Sequence, residues 1–195
     1  HYSYGLSVVN SHLIAGGTLV LTAENLLSEA FWTLVRDQEC TSMAGVPYSY
    51  QLLRRLDLNA LNVPRLQTLT QAGGRLDSKL IAHFHGLARQ RGGRFFVMYG
   101  QTEATARMTI LPDAMLPEKL GSVGVAIPGG ALRIEGDDGT LVTEAGRAGS
   151  VVYEGPNVML GYASDAADLR LGDDQRGRLV TGDLVQVSIG QGLFA

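Results

Sequence analysis

Residues 66–100 read LQTLTQAGGRLDSKLIAHFHGLARQRGGRFFVMYG. The stretch predicts a strand at Leu66–Gln71, a break at Gly73-Gly74 and a helix capped by Asp77, whose carboxylate can accept from the first free amides. Arg89 and Arg91 give that helix a basic end suited to its dipole, and Gly92-Gly93 stop it. A buried-looking strand, Arg94–Met98, then runs into Tyr99-Gly100. Strand, helix and strand at this spacing form a βαβ unit, which implies parallel pairing.

The same alternation continues towards the start of the chain. A strand is expected at Thr41–Gly45, followed by a helix beginning at Pro47, a residue suited to a first helical position. Ser28 is placed to cap a helix whose Ala30, Phe31, Leu34 and Val35 share one face. Residues 6–15 predict a further helix stopped by Gly16-Gly17, and Thr18–Thr22 a short apolar strand. Beyond residue 120 the pattern changes. Short β-like runs at Ala131–Glu135, Ser150–Glu154, Leu179–Thr181 and Leu184–Ser188 are separated by turns such as Gly136-Asp137-Asp138-Gly139, which suits a small antiparallel sheet or barrel. Residues 121–195 hold 15 of the 25 glycines. The fold class expected is therefore α/β: βαβ units with a largely parallel sheet (1–116), followed by a small β-rich, barrel-like subdomain (117–195).

Composition bounds the function. The 195 residues are 45% hydrophobic and 18% charged, as in an ordinary folded protein. A net charge of −3 argues against a dedicated nucleic-acid binder. No apolar run reaches the ~18 residues of a membrane span. The single cysteine, Cys40, rules out an internal disulfide framework and reads as a small buried hydrophobe. A cytoplasmic location is the default. His83 and His85, two apart on a helix, point to different sides and read as surface residues, not joint metal ligands. His12 reads as a packing residue. The chain opens at His1 without an initiator Met and stops at Leu193-Phe194-Ala195, so a piece of a larger protein is expected.

In open α/β sheets ligands sit at the carboxyl ends of the strands. Two loops here have that position: Gln71-Ala72-Gly73-Gly74-Arg75 and Tyr99-Gly100-Gln101-Thr102-Glu103-Ala104. Gly73 and Gly74 let backbone approach a flat ligand. Tyr99 offers a ring for stacking, Thr102 a hydroxyl for a phosphate, and Glu103 a carboxylate for Mg²⁺. These groups suit a magnesium nucleotide; taken alone, they suit a strand exit into a surface turn equally well.

The string YGQTEA at 99–104 resembles the Tyr-Gly-x-Thr-Glu signature of the AMP-forming adenylating enzymes, which include acyl-CoA synthetases, peptide-synthetase adenylation domains and luciferases. Four further segments resemble the family in the same order: AGGRL at 72–76, GSVGVAIPG at 121–129, EGPNVMLGY at 154–162 and TGDL at 181–184. The resemblance implies a substrate carboxylate attacking the α-phosphorus of ATP, and then transfer of the acyl group to the thiol of CoA or a carrier-protein pantetheine. It implies that Tyr99 stacks on adenine opposite Gly73-Gly74, with Arg75, Gly100 and Gln101 also lining the ATP/AMP site. Thr102 would bind the α-phosphate, Glu103 would hold Mg²⁺, and Asp183 would accept from the ribose hydroxyls. Thr102 and Glu103 would thus be the catalytic pair.

For the acid, Tyr2-Ser3-Tyr4-Gly5-Leu6 resembles the family segment that lines the acyl cavity, with Tyr2 rather than His1 in the frequent His position. Tyr2, Tyr4 and Val46 are the candidate pocket residues; ordinary core packing is the other reading of Val46-Pro47. The family's Gly/Ser/Thr-rich phosphate loop ending in Pro-Lys-Gly has no counterpart here, nor has its distal catalytic Lys. Ala166-Ala167-Asp168 stand where a Thr is usual. The partners implied are a small carboxylic acid and the missing phosphate-loop segment and C-terminal domain. An amino-acid or aryl-acid adenylation domain feeding a carrier protein, and a non-catalytic AMP-binding remnant, are the alternatives. Acetate, fatty acids and aryl acids all remain open as substrates.

Overall fold

A computed structural model describes residues 2–187. His1, Ser188 and Leu193-Phe194-Ala195 lie outside the described residues. The first sheet takes its strands in chain order: β1 (Ser42–Gly45), β2 (Thr68–Gln71), β3 (Arg94–Tyr99), β4 (Thr109–Leu111) and β5 (Val125–Ala126). The first three are parallel, linked by α3 (Pro47–Leu53) and α4 (Ser78–Gln90), after α1 (Ser3–Ile14) and α2 (Glu29–Asp37). The expected largely parallel sheet is thus a parallel core, and β4 and β5 extend it antiparallel. The sheet reaches past residue 116, since β5 pairs with β4.

Each expected cap is made. Ser28 Oγ accepts from the Phe31 amide at 3.2 Å, and Asp77 Oδ1 from the Lys79 amide at 2.9 Å. α1 begins three residues earlier than its apolar pattern suggests. Tyr2 stands at its cap position without a side-chain bond, so no Ser or Asp marks the start. Thr18–Thr22 is not a strand. An apolar run needs a neighbouring strand for its backbone groups, and this one has none among the described residues; Leu21 is 80% exposed.

The two faces of the sheet are covered differently. On one, Tyr50 of α3, Phe84 of α4 and Phe95 of β3 are fully buried, their ring centroids 4.9 to 6.4 Å apart. The Tyr50 hydroxyl donates to the Thr70 carbonyl at 2.8 Å and Trp32 Nε1 to the Leu26 carbonyl at 2.9 Å, so both polar aromatics of this core are satisfied. On the other face α1 sets Tyr4 and Val8 against Ala72, Met98, Ala106 and Ile110.

One side chain departs from the sequence expectation. His85 is not a free surface residue: its Nε2 lies 3.4 Å from Asp113 Oδ1. Arg89 Nη1 lies 3.4 Å from Asp113 Oδ2, and Arg91 donates to the Leu58 and Val63 carbonyls. Asp113, only 6% exposed, also accepts from the Phe95 amide at 2.9 Å. It thus ties the turn after β4 to β3 and α4. His12 hydrogen-bonds the Val8 carbonyl, and Cys40 packs against the core half-buried, where burial raises its thiol pKa.

The second sheet is antiparallel, in the order β6 (Ala131–Glu135), β7 (Ala148–Glu154), β8 (Arg178–Gln186). Among the described residues it is an open three-stranded sheet, not a closed barrel. The two runs expected at Leu179–Thr181 and from Leu184 onward are one strand that passes through Gly182. Its register against β7 shifts between Ser150 and Val152, which absorbs the bend.

Phe84→Ala should lower the unfolding free energy by about 3–5 kcal/mol. Tyr48→Ala, at a residue 66% exposed on α3, should change it by no more than about 0.5 kcal/mol. Urea titration of both variants checks this pair.

Candidate active site

The carboxyl ends of β1, β2 and β3 form one rim. Gly45 pairs with Gln71, and Gln71 with Val97, so Val46, Gly73 and Tyr99 follow three adjacent parallel strands at the same edge. Gly73 and Gly74 have φ of +77° and +141°. A Cβ on Gly73 would lie 3.2 Å from Val46 Cγ1 and 3.9 Å from Tyr2 Cε2, and one on Gly74 3.3 Å from Pro47 Cγ. Glycine is therefore favoured for its dihedrals, and an added Cβ would press on the Val46 and Pro47 side chains. Gln71, 1% exposed, holds the loop by donating to the Gly74 carbonyl at 2.7 Å. Sequence reading put Gln71 in this loop without giving it that function. Arg75 is exposed on the same loop.

Tyr2 is half-exposed beside this loop and meets Tyr4 edge-on, centroids 6.2 Å apart. Tyr4 is 3% exposed, and its hydroxyl hydrogen-bonds Thr70 Oγ1 at 3.0 Å. It therefore supports the wall from beneath, where Val46 is partly buried against the same cluster, while Tyr2 and the glycine backbone are exposed.

After β3 the chain folds back sharply. The Ala104 and Ala106 amides both donate to the Gln101 carbonyl, and the Met108 amide to that of Tyr99. Thr105 and Ala106 take left-handed φ of +54° and +68°. Non-glycine residues hold such angles only where their surroundings enforce them. Asn157 does so here, its Nδ2 donating to the Ala104 carbonyl at 2.7 Å and the Arg107 carbonyl at 3.2 Å. Tyr153 in turn donates to Asn157 Oδ1 at 2.8 Å. The segment around Asn157 was visible as a motif; its work on this loop was not.

Tyr99 packs against Ala104, Met108, Tyr153, Val158 and Leu179 and remains half-buried. Its hydroxyl donates to Asp183 Oδ2 at 2.6 Å, across 84 residues of sequence. Gln101 Nε2 donates to the same oxygen at 3.0 Å and to the Thr181 carbonyl at 2.8 Å. Burial first, and the Asp183 carboxylate second, hold the Tyr99 phenol well above its ordinary pKa, so it stays a donor. The hydroxyls of Thr102 and Ser3 hydrogen-bond each other at 2.9 Å. Glu103 Oε1 accepts from the Tyr162 hydroxyl at 2.9 Å, a bond that raises the Tyr162 pKa. Ser3 and Tyr162 lie inside the Tyr2–Leu6 and Glu154–Tyr162 motif segments, but spacing does not mark either as a partner of Thr102 or Glu103. Next to Tyr162, a cavity of ≈ 360 Å³ opens between Met159 and Asp174–Val180.

The sequence profile of the AMP-binding enzyme family matches residues 1–163. A feruloyl-CoA synthase from Amycolatopsis sp. is 33% identical over 156 residues, 77% of this chain and 30% of that protein. A luciferin 4-monooxygenase from Luciola mingrelica is 26% identical over 188 residues, 94% of this chain and 33% of that protein. The chain thus spans about a third of the length of these curated relatives. Among solved structures, the O-succinylbenzoate coenzyme A synthetase MenE from Bacillus subtilis, in complex with ATP and magnesium ion, superposes with a TM-score of 0.77. It is 26% identical and covered to 38%, with 99% of this chain matched. VinN gives a TM-score of 0.77 at 29% identity, covered to 47%, again with 99% of this chain matched. Motifs, topology and profile agree, and the chain belongs to the AMP-binding enzyme family.

Proposed function

We propose that this chain forms the nucleotide- and acid-binding part of an ATP-dependent, AMP-forming ligase that joins a carboxylic acid to CoA. The observation that carries this reading is the hydrogen-bonded group Tyr99–Asp183–Gln101, which sits with Thr102 and Glu103 beside the Gly73-Gly74 loop. The α/β portion (1–116) and the β-rich portion (117–195) act as two subdomains of one larger domain, with the site between the rim of the first and β8 of the second. A cytoplasmic location belongs to the same reading; no helix among the described residues is long and apolar enough to cross a membrane.

The residues suit ATP or AMP with Mg²⁺. Tyr99 ends the strand beside the one that runs into Gly73-Gly74, two residues with no Cβ, so a planar base beside the ring can reach backbone at van der Waals distance. Asp183 is an acceptor-only carboxylate, the right partner for vicinal hydroxyls. Thr102 presents a hydroxyl whose orientation Ser3 restricts, and it donates to a phosphate oxygen. Glu103 supplies an anionic oxygen for the metal, and Tyr162 holds the carboxylate in place. When bound, Mg²⁺ neutralises charge on the reacting phosphates, where positioning and electrostatics supply most of the acceleration. Tyr2, Val46 and the Gly73 backbone line the side on which the acid approaches, with Tyr4 behind them. The cradle for the remaining phosphates and a distal lysine are assigned to parts of the protein with no counterpart in this sequence.

Two outcomes test the reading. The purified 195-residue chain should catalyse no acid-dependent exchange between ATP and pyrophosphate; robust exchange would show that the phosphate loop and distal lysine are dispensable. In the full-length protein, Glu103→Gln should cut Mg²⁺-dependent adenylation about a hundredfold while the melting temperature stays put. Unchanged turnover would remove Glu103 from the metal site.

A further inference from the structure

Position 101 is the open position of the Tyr-Gly-x-Thr-Glu string, so the signature does not say what a glutamine there is for. In the structure its side-chain amide reaches away from Thr102 and Glu103 to β8. One nitrogen serves two acceptors on either side of Gly182, the Thr181 carbonyl at 2.8 Å and Asp183 Oδ2 at 3.0 Å. The amide group has two N–H bonds, so both can be made at once. Gly182 has φ +76° and Asp183 is exposed. A carboxylate in such a place would otherwise spread over several rotamers, and ordering it would cost affinity at the moment of binding.

We propose that Gln101 is a positioning residue. It fixes the Thr181–Asp183 bend of β8 against the signature loop and, together with the Tyr99 hydroxyl, commits Oδ2 of Asp183 to the protein. Oδ1 is left as the oxygen presented to ligand. This rests on the reading of Asp183 as the ribose acceptor. The ligand half of the proposal is that Gln101 governs recognition of the sugar hydroxyls without touching the nucleotide. The scaffold half is that Gln101 and Asp183 are energetically coupled whether or not nucleotide is present.

Calorimetric binding of AMP and 2′,3′-dideoxy-AMP to the full-length protein tests the first half. Gln101→Met keeps the length of the side chain and removes its donors. It should weaken AMP about tenfold, leave the dideoxy nucleotide unchanged, and add nothing in an Asp183→Ala background. Equal loss for both nucleotides, additive losses, or wild-type AMP affinity in Gln101→Met would each overturn the positioning role. Thermal unfolding of the full-length protein without nucleotide tests the second half. Gln101→Met and Asp183→Ala should shift the midpoint non-additively, and additive shifts would overturn the clamp. If the wild-type full-length protein binds no AMP, the ligase reading fails and the ligand half falls with it, while the unfolding cycle still decides the scaffold half.

Discussion

The backbone of residues 100–107 can fold back on itself only because Gly100 carries no Cβ. A methyl group there would stand 2.4 Å from the Ala106 carbonyl oxygen and 2.6 Å from its carbon, inside contact distance of rigid backbone. Everything that gathers at the candidate site follows from this turn. It ends β3, presents Thr102 and Glu103 on a single 3₁₀ turn, and returns the chain as β4, antiparallel to the strand it has just left. The left-handed Thr105 and Ala106 are the local cost of so abrupt a reversal, and Asn157 offsets it by satisfying two of the loop's carbonyls.

The same turn joins the two sheets. Its contacts with the β-rich part are of two kinds. One is apolar, with Tyr99, Ala104 and Met108 packed on Tyr153, Val158 and Leu179. The other is polar and specific, through Tyr99, Gln101 and Asn157. Apolar packing by itself tolerates sliding and repacking, whereas hydrogen bonds with fixed directions set a register. A group assembled from residues 84 positions apart needs that register, since displacement of β8 by an ångström would carry Asp183 out of reach of the Tyr99 hydroxyl.

Around this centre the packing is uneven. The face under α3 and α4 is a dense aromatic core with its polar atoms satisfied. On the opposite face α1 buries only Tyr4 fully and leaves Leu6, Leu13 and Ile14 more than half exposed. Asp113 closes the remaining edge by meeting the Phe95 amide, His85 and Arg89 together. The site thus rests on a rigid platform to one side and a lightly held helix to the other, and Ser3 and Tyr2 belong to that helix's start.

Much of the fold was legible before any coordinates. Ser28, Pro47 and Asp77 announce helix starts because their chemistry is local, and Arg94–Met98 announces a strand by its apolar run. The motif strings include the rim residues and Asp183, and the structure brings Tyr99, Gln101 and Asp183 together. What sequence left unmarked depends on partners distant in the chain. Thr18–Thr22 has strand composition but no neighbour to pair with; Leu179–Thr181 and Leu184 onward are one strand because β7 spans both. Asn157, Tyr162 and Asp113 act through the direction their side chains take, and that direction follows from the packing of two sheets, not from spacing. The chemical groups and the local elements that carry them are written in the order of residues, since caps, turns and periodicity act over a few positions. Which groups meet depends on the folded chain, because a hydrogen bond between residues 99 and 183 exists only once the segment between them has packed.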